Sequence, residues 1–167
     1  MEPSFALPVG LSKAECYTRF IDEYNVWIEG EDDFVSLMAN TAAALHDAFG
    51  FFWVGFYTVH DDMWLHLGPF QGPVACSRIK RGRGVCGTAW AEGRTIIVPD
   101  VDQFPGHIAC SSASRSEIVV PLKDGRGRIV GVLDIDSDQL NAFDEEDQRG
   151  LEQVVQRMLS QNGGSEK

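Results

Sequence analysis

The sequence predicts a single α+β domain in which helices flank a central antiparallel sheet. Two helical segments come first, several strand-like segments joined mostly by short turns follow, and another helix comes near the end of the chain. This order differs from the regular strand–helix alternation that builds a parallel sheet. A length of 167 residues suits one domain with a substantial core and is short for two ordinary domains.

The helices are predicted from apolar residues spaced three and four positions apart. Residues 11–28 show this spacing, and a second helix begins after the acidic segment Glu31–Asp33, which suits the positive end of a helix dipole. Gly50 is expected to stop that helix. The acidic run Asp144–Asp147 is interpreted in the same way, as the start of a final helix that runs to about Leu159.

The middle of the chain changes to aromatic and β-branched residues, which favour strands. Phe51–Val59 and Trp64–Leu67 lie on either side of a His60–Asp62 turn and predict an antiparallel hairpin. A loop over Gly68–Pro73 then leads to a third predicted strand at Val74–Ile79.

The second half of the sheet is predicted around a short helix at Val85–Ala91. A strand at Thr95–Val98 follows, and Glu117–Leu122 pairs with Ile129–Ile135 across a glycine-containing turn. The connection over residues 99–116 is long and has no clear periodicity. Loops of that length within compact domains are often functional, so we expect this one to border a site.

Composition excludes several classes of partner. The net charge is −11, from 25 acidic and 14 basic residues, so nucleic acid and anionic membranes are unfavourable partners. The apolar runs are strand-sized, and the N-terminus lacks the pattern of a signal peptide. Four cysteines without a secretory signal are expected to be reduced thiols, with any disulfide transient, which predicts a cytoplasmic protein.

Three cysteines, Cys76, Cys86 and Cys110, lie in glycine-rich or small-residue segments. Buried cysteine is often a small hydrophobic residue, and Cys16 on the first helix is expected to be one. Cys76 lies in a strand-like segment and is open to the same interpretation. Because three thiols fall in one short region, however, we predict that they converge on a redox site.

Two carboxylates, Asp134 and Asp136, lie two residues apart on a predicted strand. They therefore share one face, while Leu133 and Ile135 point to the other. Adjacent carboxylates repel each other unless a cation or a proton lies between them, and the alternative is a solvated polar face. Glu117 joins the same face if its strand pairs with this one.

Other motifs have weaker support. Gly82–Gly87 fits G-x-G-x-x-G, but the short helix and the hairpins around it differ from a dinucleotide fold, so we interpret it as a tight turn. The chain has no C-x-x-C and no metal-ligand spacing of histidines, so no metal or cofactor is predicted. His107, beside Cys110 in the long loop, is the histidine best placed for a functional contact.

Five segments together resemble the free methionine-(R)-sulfoxide reductases, a catalytic branch of the GAF-domain fold. They are Gly68–Gly72 with Cys76, Gly82–Ala89, Pro105–Cys110, Ser116–Pro121 and Gly131–Ser137. The resemblance implies a GAF-like catalytic domain over residues 30–160, with a small closed pocket and usually in a homodimer. Residues 1–29 are then a helical extension, and residues 161–167 a disordered tail.

The resemblance also implies roles for the thiols. Cys110 would attack the sulfoxide sulfur and become a sulfenic acid, and Glu117 would protonate the sulfoxide oxygen. Cys76 or Cys86 would then form a disulfide with Cys110, which a thioredoxin-type protein reduces. Cys86 is the alternative nucleophile, because a position near a helix N-terminus predicts a lower pKa for its thiol.

For the substrate, the resemblance implies free methionine sulfoxide without any cofactor. Asp134 and Asp136 would hold its ammonium group, with Glu117 beside them, and Trp53 and Tyr57 would form an apolar wall around its S-methyl group. The competing hypothesis is a GAF domain that senses a small ligand or redox state without turnover. Such sensors usually accompany an output domain, for which this chain has no room.

Overall fold

A computed structural model describes residues 4–108 and 110–162. The tail was predicted over residues 161–167: Gln161 and Asn162 are helical instead, and residues 163–167 lie outside the described residues. It shows the expected α+β architecture, a six-stranded antiparallel sheet with helices packed against it. The elements in chain order are α1 (Lys13–Trp27), α2 (Phe34–Phe49), β1 (Trp53–Val59), β2 (Trp64–Gln71), β3 (Arg78–Lys80), α3 (Gly84–Glu92), β4 (Ile96–Val98), a 3₁₀ turn (Val101–Gln103), β5 (Ser116–Lys123), β6 (Ile129–Ser137) and α4 (Glu145–Asn162).

The helix ends confirm the cues in the sequence. Asp33 caps α2 by accepting a hydrogen bond from the backbone N–H of Ser36, and Gly50 ends the helix in the left-handed conformation. In α4 the acidic residues occupy the first turn, as predicted. That helix extends three residues beyond the predicted end at Leu159.

The strand order is β3-β2-β1-β6-β5-β4, and every neighbouring pair is antiparallel. Both predicted hairpins, β1–β2 and β5–β6, are confirmed. The predicted strand at Val74–Ile79 is wrong: pairing with β2 begins only at Arg78, and the segment before it is a loop. The predicted loop at Gly68–Pro73 is partly wrong too, since β2 continues to Gln71.

The two faces of the sheet bury different groups. One face packs against α2 and α4, with α1 packed on α4, and contributes apolar residues such as Phe56, Leu133 and Ile135 to the larger core. The other face packs against α3 and carries a second cluster that includes Trp53 and Tyr57. Because side chains alternate along a strand, the residues that face α3 are the ones that can form a site.

None of the helices over the described residues is long and apolar enough to cross a membrane.

Candidate active site

A pocket opens on the α3 face of the sheet and collects the side chains that the sequence singled out. Its walls come from β1, β6, β5, α3 and the long loop before β5. The lining includes, among others, Trp53, Tyr57, Cys86, His107, Cys110, Glu117, Asp134 and Asp136. Residues separated by more than 80 positions in the chain thus meet in one cavity.

Strand register brings the three carboxylates together. Glu117 on β5 lies opposite Asp136 on β6. Asp134 is two residues before Asp136 and points to the same face. Leu133 and Ile135 enter the opposite core, as predicted. Glu117 and Asp134 are 6% and 7% exposed, so the alternative of a solvated polar face is wrong for these two.

Burial sets the charge state of this cluster. Burial, together with the charges of Asp134 and Asp136, holds the pKa of Glu117 well above its usual range. Burial also raises the pKa of Asp136. It raises the pKa of Asp134 to a smaller degree, because hydrogen bonds with Glu117 and Cys86 lower that pKa and partly offset the effect of burial. The protonated form is therefore favoured most at Glu117 and Asp136, and Asp134 accepts a hydrogen bond from Glu117.

Cys86 lies in the first turn of α3, but its thiol has the opposite character from the one predicted. Burial, reinforced by the charges of Asp134 and Glu117, raises the pKa of Cys86 well above its usual value. Its Sγ donates a weak hydrogen bond to Oε1 of Glu117 at 4.0 Å. The prediction of a lowered pKa is wrong, because these two effects outweigh the helix dipole.

Cys76 and Cys110 form a disulfide across the pocket mouth, with their Cα atoms 5.6 Å apart. The sequence left this pairing open. The bridge joins the loop before β3 to the long loop before β5, and both cysteines are partly exposed. Cys86 stays a free thiol below them, and Cys16 is a free thiol on α1, away from the pocket.

Two aromatic side chains support the loop that carries Cys76. The hydroxyl of Tyr57 donates to the carbonyl of Cys76 at 2.9 Å, and Nε1 of Trp53 donates to the carbonyl of Pro73 at 3.0 Å. Gly72 has φ +136°, and a Cβ there would lie 2.7 Å from Cδ1 of Trp53. Gly72 and the two aromatic residues therefore hold the loop in position, and the two aromatic residues also form part of the pocket wall.

His107 enters the pocket from the long loop. Its Nε2 lies 3.8 Å from Oε2 of Glu117, which is too long for a hydrogen bond. Burial lowers the pKa of His107, so at neutral pH the ring faces Glu117 as a neutral imidazole. Its place beside the acidic cluster fits the functional contact expected for this histidine.

Some lining residues had no signal in the sequence. Phe52, Ala75, Ile79, Ser111 and Ser114 also border the pocket. They are single small or apolar residues in loops or, for Ile79, in the middle of the short β3, without a motif of their own. Only the register and the loop path, which depend on tertiary structure, place them there.

Comparison with known proteins places this architecture in a family. A family model described as "GAF domain" matches residues 29–158. GAF domain-containing protein A of Dictyostelium discoideum is 54% identical over 144 residues, which is 86% of this chain and 90% of that protein. Free methionine-R-sulfoxide reductase of Escherichia coli K12 is 46% identical over 149 residues, 89% of each chain.

A solved structure gives the same result. The free methionine-R-sulfoxide reductase from Neisseria meningitidis, in complex with its substrate, is 48% identical and superposes with a TM-score of 0.92. The match covers 99% of this chain and 98% of that one. This chain therefore belongs to the GAF domain family and, within it, to the free methionine-R-sulfoxide reductases.

Proposed function

We propose that this protein reduces free L-methionine-(R)-sulfoxide to L-methionine. The observation that carries the proposal is a cysteine pair at the mouth of a pocket whose floor holds three carboxylates. The relatives named as free methionine-R-sulfoxide reductases supply the substrate and its handedness. Binding of a small ligand alone does not require two thiols that can form a disulfide at the entrance.

Charge supports recognition of the free amino acid. Asp134 and Asp136 lie side by side in the pocket, where an ammonium group would offset their repulsion. A methionine sulfoxide residue inside a protein has an amide in place of that ammonium, so it cannot supply the cation. The S-methyl group would then pack against Trp53 and Tyr57.

The proposed reaction proceeds in two steps. The Cys110 thiolate attacks the sulfoxide sulfur, Glu117 protonates the departing oxygen, and the oxygen is transferred to give Cys110 sulfenic acid and methionine. The Cys76 thiol then attacks that sulfenic acid, forming the disulfide and releasing water. Glu117 suits the proton-donor role because burial raises its pKa and thereby favours the protonated carboxyl group.

The thiols of this pocket differ in ways that favour these roles. The pairing of Cys76 with Cys110 is consistent with Cys110 as nucleophile and Cys76 as the resolving residue. Cys86 is a poor nucleophile because burial keeps it protonated.

A thioredoxin-type protein is proposed as the reductant. Two apolar side chains border the disulfide loops and are exposed, Val74 at 88% and Ile108 at 38%, and they offer a contact surface for a dithiol protein. The same proposal includes a cytoplasmic homodimer that acts under oxidative stress. Thioredoxin-coupled turnover and analytical ultracentrifugation are the measurements for these parts.

The first test is methionine formation by the purified protein with dithiothreitol. Substrates are the free R and S sulfoxides and a peptide-bound sulfoxide, and turnover is expected only with the free R form. Cys110→Ser should lower kcat by at least about 10³-fold, because it removes the nucleophile. Cys16→Ser is the matched control and should keep full activity, since Cys16 lies outside the pocket.

The competing hypothesis, a sensor without turnover, predicts a different result. The reduced protein would then bind free methionine sulfoxide but leave all three sulfoxides unchanged. Full activity of Cys110→Ser would instead contradict the assignment of the nucleophile.

A further inference from the structure

Three donor groups of different chemistry meet in the floor of the pocket. Cys86 from α3, Glu117 from β5 and Asp134 from β6 each place one donor atom so that all three atoms lie within 4.8 Å of one another. All three side chains are more than nine-tenths buried. A search for metal-ligand spacing in the sequence could not find this group, because its members come from three separate elements.

Asp134 gives an independent sign that the cluster accepts a cation. Its Oδ1 is buried and has no hydrogen-bond partner among the residues that the structure describes. A buried carboxylate oxygen without a partner is unfavourable, so this atom is set up for a ligand that enters the pocket. Asp134 lines the pocket directly, and Asp136 lies beside it.

The spacing suits a small divalent ion. Tetrahedral zinc, with bonds of about 2.3 Å to sulfur and about 2.1 Å to oxygen, places its sulfur and oxygen ligands about 3.6 Å apart. Sγ of Cys86 and Oε1 of Glu117 are 4.0 Å apart. Side-chain shifts of a few tenths of an ångström would therefore bring Sγ and Oε1 to the separation of two ligands bound to the same zinc ion.

The donor types also select among metals. A thiolate with carboxylates suits a borderline ion such as Zn²⁺, whereas Mg²⁺ and Ca²⁺ prefer oxygen ligands alone. Binding would release the Cys86 proton and the Glu117 proton to solvent. The bound dication would then sit among carboxylates that lack a neighbouring Lys or Arg in the pocket lining.

We infer that Zn²⁺ binds to Cys86, Glu117 and Asp134 and, by occupying the carboxylates, competes with the substrate ammonium. The competition rests on the function proposed above, but the metal site itself does not. Zinc would then act as a reversible inhibitor.

The binding test uses the oxidised protein, in which the disulfide removes Cys76 and Cys110 from the list of ligands. Co²⁺ is added as a spectroscopic substitute for Zn²⁺. One equivalent should give a thiolate-to-cobalt band in the near ultraviolet. Cys86→Ser should lose that band, and Cys16→Ser, which changes the other free cysteine, should keep it.

Calorimetry provides a second measurement. Asp134→Asn should weaken Zn²⁺ binding at least about tenfold. Even the loss of a residue that only hydrogen bonds to a metal ligand lowers metal affinity about 10- to 100-fold. Asp138→Asn is the matched control, because Asp138 is an exposed carboxylate two residues after Asp136. Circular dichroism of each variant shows that the fold is kept.

Three outcomes would overturn the inference: no saturable binding, a cobalt band that survives in Cys86→Ser, or unchanged zinc affinity in Asp134→Asn.

The competition between zinc and substrate is tested in the turnover assay with a phosphine reductant, which binds zinc weakly. Zn²⁺ should raise KM and leave kcat unchanged, and Mg²⁺ at equal ionic strength should have no effect. An unchanged KM would overturn the competition. A protein without any sulfoxide turnover would contradict the proposed function and leave the Co²⁺ result intact.

Discussion

Asp134 combines three properties that few side chains in the described chain share. It is buried, it lies in the pocket, and one of its oxygens lacks a hydrogen-bond partner within the described residues. Neighbouring Asp136 adds a second negative group, and both lie on a strand that is held on either side by β1 and β5. Pairing on both sides fixes the spacing of the two carboxylates, so the ammonium binding proposed above would require little rearrangement.

Asp134→Asn is expected to raise KM for the free sulfoxide. The substitution keeps the shape of the side chain but removes the charge that would pair with the ammonium group. Hydrogen bonds to charged groups contribute about 1.5–3 kcal/mol, so KM should rise about 10- to 100-fold. Steady-state kinetics on the free R sulfoxide provide the measurement.

Asp138→Asn is the control for this change, because Asp138 is exposed and lies outside the pocket lining. Its KM should stay within about twofold of the wild-type value. If Asp134→Asn and Asp138→Asn gave equal KM values, Asp134 would not bind the ammonium group.

At the scale of elements, α1 forms part of the main core. Its aromatic residues Tyr17, Phe20 and Tyr24 are buried among residues of the other helices and the sheet. The hydroxyl of Tyr17 donates to Oδ1 of Asp147 on α4 at 2.7 Å, and Lys13 pairs with the other oxygen of that carboxylate at 2.6 Å. The acidic start of α4 therefore has a second role, which its helix-start pattern did not indicate.

Gly150→Ala is expected to destabilise the protein by disturbing the α1–α4 contact. Gly150 lies on α4 directly against the ring of Tyr17, and a Cβ at this position would collide with that ring. Overpacking of this kind costs about 1–3 kcal/mol of unfolding free energy. Urea denaturation followed by circular dichroism measures the change.

Gly125→Ala is the matched control, since a Cβ there would have no atom within 4 Å. Its unfolding free energy should change by less than about 1 kcal/mol. Equal stability of the two variants would show that α1 can move away from α4 at little cost.

For the whole molecule, the sequence was most informative where local chemistry decides the structure. Helix caps, the β5–β6 hairpin and the alternation of Asp134 with Leu133 depend on neighbouring residues and were predicted correctly. The short β3 was predicted too long, because only tertiary pairing with β2 limits it to three residues.

The properties of Cys86 and the disulfide pairing depend on groups far away in the chain. The dipole of α3 predicted a low pKa for Cys86, but burial beside carboxylates from β5 and β6 raises it. Cysteine spacing likewise leaves the pairing open, because distances between loops are set by the fold. Electrostatics and loop geometry are thus the parts of the site that sequence reasoning could not supply.

The same buried acids tie the stability of the molecule to pH. The folded pKa values of Glu117, Asp134 and Asp136 are all raised, first of all by burial. The unfolded chain loses these protons near pH 4, whereas the folded protein retains some of them at higher pH. Unfolding then releases protons, so the stability they confer is present below about pH 4 and is lost as pH rises through the folded pKa values.

Glu117→Gln is expected to flatten this pH dependence between about pH 5 and pH 8. Gln keeps a donor toward Asp134 but does not ionise, so one source of proton release disappears. The wild-type free energy of unfolding should fall by about 1 kcal/mol or more relative to the variant across this range, since one pKa unit corresponds to about 1.4 kcal/mol. Urea denaturation of the oxidised, substrate-free proteins at each pH gives the two curves.

Other titrating groups affect the wild type and the variant in similar ways, so the difference between the curves isolates the acidic cluster. The carboxylates Asp33, Asp61 and Asp124, none of which is buried, have lowered pKa values and are ionised in both the folded and unfolded states over this range. His107, whose pKa burial lowers, contributes the opposite slope below about pH 6.5. Glu29→Gln, an exposed control, should follow the wild-type curve. Parallel curves for wild type and Glu117→Gln would mean that Glu117 is already ionised at pH 5 in the folded protein, and it could not then donate a proton to the sulfoxide.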